Sequence, residues 1–318
     1  MSTDQPKLRL ARYRFGFRMR ARLDLPDYAG SLLRGQFGAA LHQVSCLAHA
    51  PVCEGCPLRT TCPYPAVFEA PGPAAHSLQN FSHIPNAYVV EPPPLGTRQV
   101  EAGEMLHFGL VLFGQALRHL PLISFALQRA VAGGLGRVRA SGALETIEVQ
   151  RNDTEHLERI WEAGDTAIAE HDTDFEVVSR RAAPGRLTLA FHTPLRLQHH
   201  GKPLRPQQLT PRKLVADLLR RATLLAEFHA DSRNLVDDPS ALVRLADTLE
   251  HRATLRWHDW SRFSSRQQRE MTLGGALGTW TLEGTLEPLL PWLHLGQWLH
   301  VGKNATLGMG GYTIVECA

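Results

Sequence analysis

From Arg12 to Leu23 the chain alternates between basic and apolar side chains. Tyr13, Phe15, Phe17, Met19, Ala21 and Leu23 fall on one side, and Arg12, Arg14, Arg18, Arg20 and Arg22 on the other. Side chains of a strand point alternately to its two faces, so this pattern predicts a long half-buried strand whose open face is cationic. The net charge is only +3, yet residues 7–22 hold Lys7, Arg9 and the five arginines just named without one acid. Local excess of this kind is the footprint of a polyanion binder, or else a solvated basic face.

Around this strand the chain reads as α+β, with two ferredoxin-like (RRM-like) domains in tandem. Leu25-Pro26-Asp27 ends the strand. Residues 28–45 then read as a helix carrying Gly30, Gly35 and Gly38, a density that suits close approach of another backbone or a ligand. Met105 to Phe113 reads as a strand, Pro121 opens a helix through Ile123 to Val131, Gly133-Gly134 stops it, and Ala143 to Val149 is again a strand. One more strand between residues 80 and 100 would complete the order βαββαβ. Residues 151–184 are rich in acids and have no clean apolar face, so they read as a linker between domains 1–150 and 185–318.

The order then repeats. Arg186 to Leu197 alternates as a strand, and Thr210-Pro211 caps and opens a helix to about His229. Leu214, Val215, Leu218, Leu219, Ala222 and Leu225 form its apolar stripe. A helix near 285–299 and a strand from Tyr312 to Val315 finish the chain. Both halves close with helix, glycine loop and strand, an internal repeat of architecture. Length and a composition of 43% hydrophobic and 20% charged residues suit two folded cores and argue against disorder. No apolar run approaches eighteen residues, and MSTDQPKLRL lacks the core of a signal peptide. The expected location is the cytoplasm, with no membrane partner.

Four of the five cysteines lie between positions 46 and 62. Without a secretion signal, such clustering reads as metal binding or redox chemistry. Cys46-x6-Cys53-x2-Cys56-x5-Cys62, broken by Pro51, Pro57 and Pro63, can wrap four thiolates around one tetrahedral ion. A structural zinc is expected, because closed four-cysteine sites suit that redox-inert ion. An iron–sulfur cluster and buried free thiols are the alternatives. The knuckle would pin the end of the preceding helix to the segment after it.

Glycines 302, 308, 310 and 311 form a loop whose backbone N–H groups could meet phosphates, or a tight turn. The loop follows a helix and precedes a strand, the reverse of nucleotide-binding fingerprints. HVGKNATLGMGGY at 300–312 resembles the signature loop of the RAMP superfamily, and more narrowly that of the CRISPR-associated repeat-processing endoribonucleases. Trp257 to Gln267, Leu273 to Gly278, the cysteines ahead of Tyr64 and Gly134-Leu135-Gly136 are similar to that branch too. The resemblance implies an enzyme that binds CRISPR precursor RNA and cuts once per repeat without a catalytic metal. The ribose 2′-OH would attack the adjacent phosphate, leaving a 2′,3′-cyclic phosphate and a 5′-OH, and the mature RNA would pass to an effector complex.

In-line attack needs a base for the 2′-OH proton, an acid for the departing oxygen and cations around the phosphorane. Among sixteen histidines, His42 is the expected catalytic one, since the resemblance implies a histidine late on the first helix. Tyr28, Gly35 and His42 are seven apart and would share a helical stripe, which makes Tyr28 its expected partner. Packing is the competing reading for both. His199, His200 and His258 are further candidates, and His300 suits orienting the turn. Arg34 and Lys303 could neutralise the scissile phosphate. Lys202, Arg212 and Lys213 could hold a hairpin stem through its phosphates, and Gly302, Gly308 and Gly310 could offer their N–H groups. Two other functions compete: a non-catalytic RNA-scaffold subunit of a CRISPR complex, and an iron–sulfur redox protein.

Overall fold

The computed structural model describes residues 7–49, 52–70, 72, 84–97, 99–151, 156–177, 185–230, 235–264 and 269–316. Ser265, Arg266 and Gln267 of the tryptophan-containing segment, and residues 152–155 and 178–184 of the expected linker, lie outside them. The chain divides into two compact units: Leu8–Phe175 with Leu224–Ser232, and Glu176–Thr223 with Arg233–Ala318 and the first residues of the chain.

In the N-terminal unit the alternating segment forms β1 (Lys7–Met19). Tyr13, Phe15, Phe17 and Met19 are all buried, while Arg9 and Arg18 are exposed and Arg12 and Arg14 half-buried. The strand stops at Met19, four residues short of the alternation, because both ladders run out there at Arg18↔Met105 and Met19↔Gly142. Leu23–Asp24 is a separate short strand, β2. Next come α1 (Gly30–Ser45), α2 (Pro63–Phe68), β3 (Tyr88–Glu91), β4 (Gln99–Val100) and β5 (Met105–Phe113). Then follow α3 (Leu120–Ala132), β6 (Gly142–Gln150), β7 (Leu157–Glu162) and β8 (Asp174–Glu176). The sheet runs β3-β5-β1-β6-β7, and β8 pairs with β1. Its inner path β3-β5-β1-β6 is the ferredoxin-like order, with β3 as the strand expected between 80 and 100.

The acid-rich 151–184 segment is therefore no plain linker. Its β7 extends the sheet at the β6 edge, and only Ile160 of that strand is fully buried. Phe175 anchors β8. The boundary between units falls at Phe175/Glu176, inside the segment read as a linker.

The C-terminal unit holds β9 (Arg186–Leu195), the hairpin β10 (Gln198–His199) with β11 (Lys202–Pro203), α4 (Pro211–His229) as far as Thr223, and α5 (Pro239–Asp247). It continues with β12 (Glu250–Ser264), β13 (Arg269–Glu283), α6 (Leu290–Leu299) and β14 (Tyr312–Glu316). Its sheet order, β12-β13-β9-β14, matches that of the first unit. Two long strands thus occupy a stretch with no predicted element. The core gathers Leu189, Phe191, Leu214, Leu218, Trp280, Leu293 and Tyr312. Truncating one such leucine to alanine costs about 2–5 kcal/mol, since the neighbours only partly refill the space. The half-buried Arg221 donates from Nε to Leu299 O at 2.8 Å, where a cation suits the carbonyl end of α6. Among the described residues no helix is long and apolar enough to cross a membrane.

Candidate functional site

In the C-terminal unit the chemistry-bearing residues collect where β9 ends. Arg196 follows β9, is half-buried, and donates from its guanidinium to Gly274 O at 2.6 Å. Burial lowers its pKa, and Asp259 nearby works the other way. Arg205 stacks its guanidinium 4.1 Å from the centre of the Trp257 ring, whose indole N–H donates to Asp259 Oδ1 at 2.7 Å. Trp257 is half-buried and Arg205 exposed, so an aromatic face and its cation sit at the surface. Gly274 is required at this point: a Cβ there would run into Asp259 and the Trp257 ring.

The glycine loop completes the cluster, by a route other than the expected one. The N–H groups of Lys303, Gly308, Gly310 and Gly311 are spent on the protein itself. Lys303 N donates to Arg196 O (2.8 Å), Gly308 N to Ala305 O (2.8 Å) and Gly310 N to Pro194 O (3.0 Å). Gly311 N donates to Thr193 Oγ1 at 2.7 Å. Gly308, Gly310 and Gly311 are buried. Gly302 (φ 92°) and Gly310 (φ 75°) have backbone conformations that L-residues seldom adopt, and a Cβ would meet Arg196 O or Val301 O respectively. The loop is a clasp that binds the start of β14 to the end of β9. What it presents is the exposed Lys303 side chain, carried beside Arg196. His300 is buried and its Nδ1 lies 3.0 Å from Gly308 O, the turn-orienting role expected of it.

The other expected RNA contacts in this unit are at the surface but partly engaged. Lys202 is exposed, paired in register with His199 in the β10–β11 hairpin. His199 and His200 are exposed, their rings edge to face at 4.1 Å. Arg212 pairs with Asp247 (3.0 Å) and Lys213 with Asp217 (2.6 Å). Arg196, Arg205 and Trp257 were missed as a group, because no local spacing links residues separated by up to 61 positions.

In the N-terminal unit, His42 stands half-buried on the last turn of α1, its ring edge-on to Tyr64 with centroids 4.7 Å apart. Tyr28 does not join it. The helix begins at Gly30, so Tyr28 lies ahead of the supposed stripe; it is buried, and burial holds its phenol well above the ordinary range. Arg34 is tied down as well: Nε donates to Tyr88 OH at 3.1 Å and the guanidinium lies 4.3 Å from the centre of the Phe68 ring. Burial pushes the Tyr88 phenol up to about 12, with Arg34 pulling the other way. Gly38 lets this ring stack form, since a Cβ there would strike Phe68.

Cys46, Cys53, Cys56 and Cys62, half-buried and outside any disulfide, line one cavity together with His42, Arg59 and Tyr64. The spacing thus brings the four thiols to one place. Among the described residues, no group of three or more His, Cys, Asp or Glu is already arranged as metal ligands.

Residues 8–173 match the family model AF_1859_N, an N-terminal domain. Residues 189–312 match the model of the CRISPR-associated endoribonuclease Cas6. The first match spans more than half of the chain. The chain belongs to that family, and its C-terminal segment matches the Cas6 endoribonuclease model. Solved structures show the same fold at low identity. A Cas6 product complex (TTHB231, the Thermus thermophilus Cas6) aligns with TM-score 0.58 and 17% identity over 96% of this chain and 99% of that one. The TTHA0078 product complex gives 0.53 and 17% over the same shares. A partial Cas6-RT-Cas1–Cas2 complex gives 0.58 and 14%; this chain is 99% covered but spans 47% of that chain, and 29% of the matching chain in a second such complex. No curated protein sequence matches the chain.

Proposed function

We propose that this protein binds CRISPR repeat RNA and cuts it within the repeat. The observation that carries this is the surface cluster of Arg196, Lys303, Arg205 and Trp257, which lies inside the segment matching the endoribonuclease model. Cations track a phosphate backbone, and a surface indole gives a base a face to stack on. Lys202 adds a further cation, and the exposed His199-His200 pair lies on the same hairpin. Arg212 and Lys213 are already paired with acids and contribute less.

Cleavage needs no metal ion in this reading. The 2′-oxygen bonds to the adjacent phosphorus as the bond from phosphorus to the 5′-oxygen breaks. The 2′-OH proton goes to a base, and an acid supplies one to the departing 5′-oxygen. The products are a 2′,3′-cyclic phosphate and a 5′-OH. His42 is the proposed acid or base, and mature RNA would be handed to CRISPR effector subunits. The test is to incubate repeat RNA with the protein in EDTA and analyse the new ends. Cyclic-phosphate ends are expected, with His42→Ala slowing the cut by ~10²-fold.

A second reading has its own observation. The expected partner of His42 is not at its side, because Tyr28 is buried ahead of the start of α1. That favours a non-catalytic RNA scaffold, which would bind the repeat tightly and leave it whole in the same assay.

A further inference from the structure

The cysteine cavity of the N-terminal unit has a chemistry of its own. Cys46 follows the last turn of α1, and Cys62 is the N-cap residue of α2. Cys53 and Cys56 lie in a turn between them, closed by Cys56 N donating to Cys53 O at 3.3 Å. The Cys62 thiol already reaches back to Ser45 O at 3.7 Å, so both ends of the segment meet. Two polar groups at this place are unsatisfied. Arg59 Nε, on the cavity wall, and Ser45 Oγ, next to Cys46, are buried without a hydrogen-bond partner. Buried donors of this sort cost about 1–3 kcal/mol each when unmet. Thiolate sulfurs in the cavity would accept from both, and a guanidinium would balance part of the negative charge of a metal tetrathiolate.

We propose that Cys46, Cys53, Cys56 and Cys62 form a structural zinc site, with Arg59 and Ser45 donating to its sulfurs, and that the bound ion sets His42 against Tyr64. One Zn²⁺ replaces the four thiol protons, which are released to solvent, so the site carries two negative charges against the one positive charge of Arg59. The sulfurs stand around the cavity and have to draw inward to reach the tetrahedral distances of about 2.3 Å. Closing them ties the end of α1 to the start of α2. Tyr64 comes two residues after Cys62 and His42 four before Cys46, so the tie fixes their edge-on contact. His42 lines the cavity but is not a ligand, as four thiolates complete a closed site.

The test uses the full chain, produced with zinc supplied and no chelator, and no RNA, so its outcome is separate from that of the cleavage assay. About one zinc per chain should be released by a mercurial thiol reagent and be absent from Cys53→Ser/Cys56→Ser. Cobalt(II) in place of zinc should show the visible bands of a tetrahedral thiolate site, unchanged in His42→Ala and shifted in Arg59→Leu. Wild-type protein that binds neither ion, that returns with an iron–sulfur chromophore, or that titrates as two disulfides overturns the proposal. Loss of zinc in His42→Ala overturns the four-cysteine ligand set. If the double serine variant fails to fold, the cobalt spectrum of the wild type still decides.

Discussion

The β1 arginines and the cluster at the end of β9 invert each other. Along β1 the cations are dense in sequence and mostly neutralised in space. Arg14 pairs with Glu148 (2.6 Å), Arg18 with Glu145 (2.6 Å) and Arg12 with Glu91 (3.1 Å), acids supplied by the neighbouring β6 and by β3 beyond β5. Arg22 pairs with Asp24. At the end of β9 the cations are scattered through more than a hundred residues and assemble on one surface. Arg196, Arg205 and Lys303 come together with an indole among them. A run of basic residues on a strand therefore says little about a polyanion until its cross-strand partners are known, because directly opposed charges pair.

Four variants break or sharpen this contrast. Gly310→Ala should have the largest effect, since it strains a left-handed residue and drives a Cβ into Val301 O; the C-terminal unit should lose several °C of melting temperature and the protein its RNA binding together. Trp257→Ala should keep the fold and weaken repeat-RNA binding by ~10-fold, read by fluorescence anisotropy, as a stacked base is worth about 1–3 kcal/mol. Arg196→Gln should flatten the salt dependence of that binding by about one unit of log–log slope. If Arg14→Ala weakens RNA binding more than Arg196→Gln does, the contrast is wrong.

The smallest effect concerns acid. The hydrogen bond from Arg18 lowers the pKa of Glu145, so the pair adds stability at neutral pH that is lost as pH falls through that lowered value. Glu145→Gln should therefore make the acid limb of a stability–pH curve slightly shallower and leave RNA affinity unchanged.

The parts of this fold legible in the chain are those whose cause is local. β1, β5, β6 and α4 carry clean periods or a proline at the first turn, and they lie within a few residues of where pattern puts them. β12 and β13 escaped because residues 250–254 are exposed throughout, so the first turns of that long hairpin show no buried face. β7 and β8 escaped because a sheet-edge strand needs only an Ile160 or a Phe175 to hold it. At the candidate site, the spacing of the cysteines was enough to gather them. The glycine positions were enough to mark a special loop. What the loop amides bind was not legible, since Pro194 and Thr193 lie over a hundred residues away. Nor was the fate of Arg34, whose partner Tyr88 is 54 residues on.

A clasp whose amides are already occupied has nothing left to reorganise when a ligand arrives. Deuterium should enter the Gly310 and Gly311 amides slowly in the free protein, and at the same rate once a transcript is bound. Whatever disorder the partner gives up on docking, this corner of the protein contributes no entropy loss of its own.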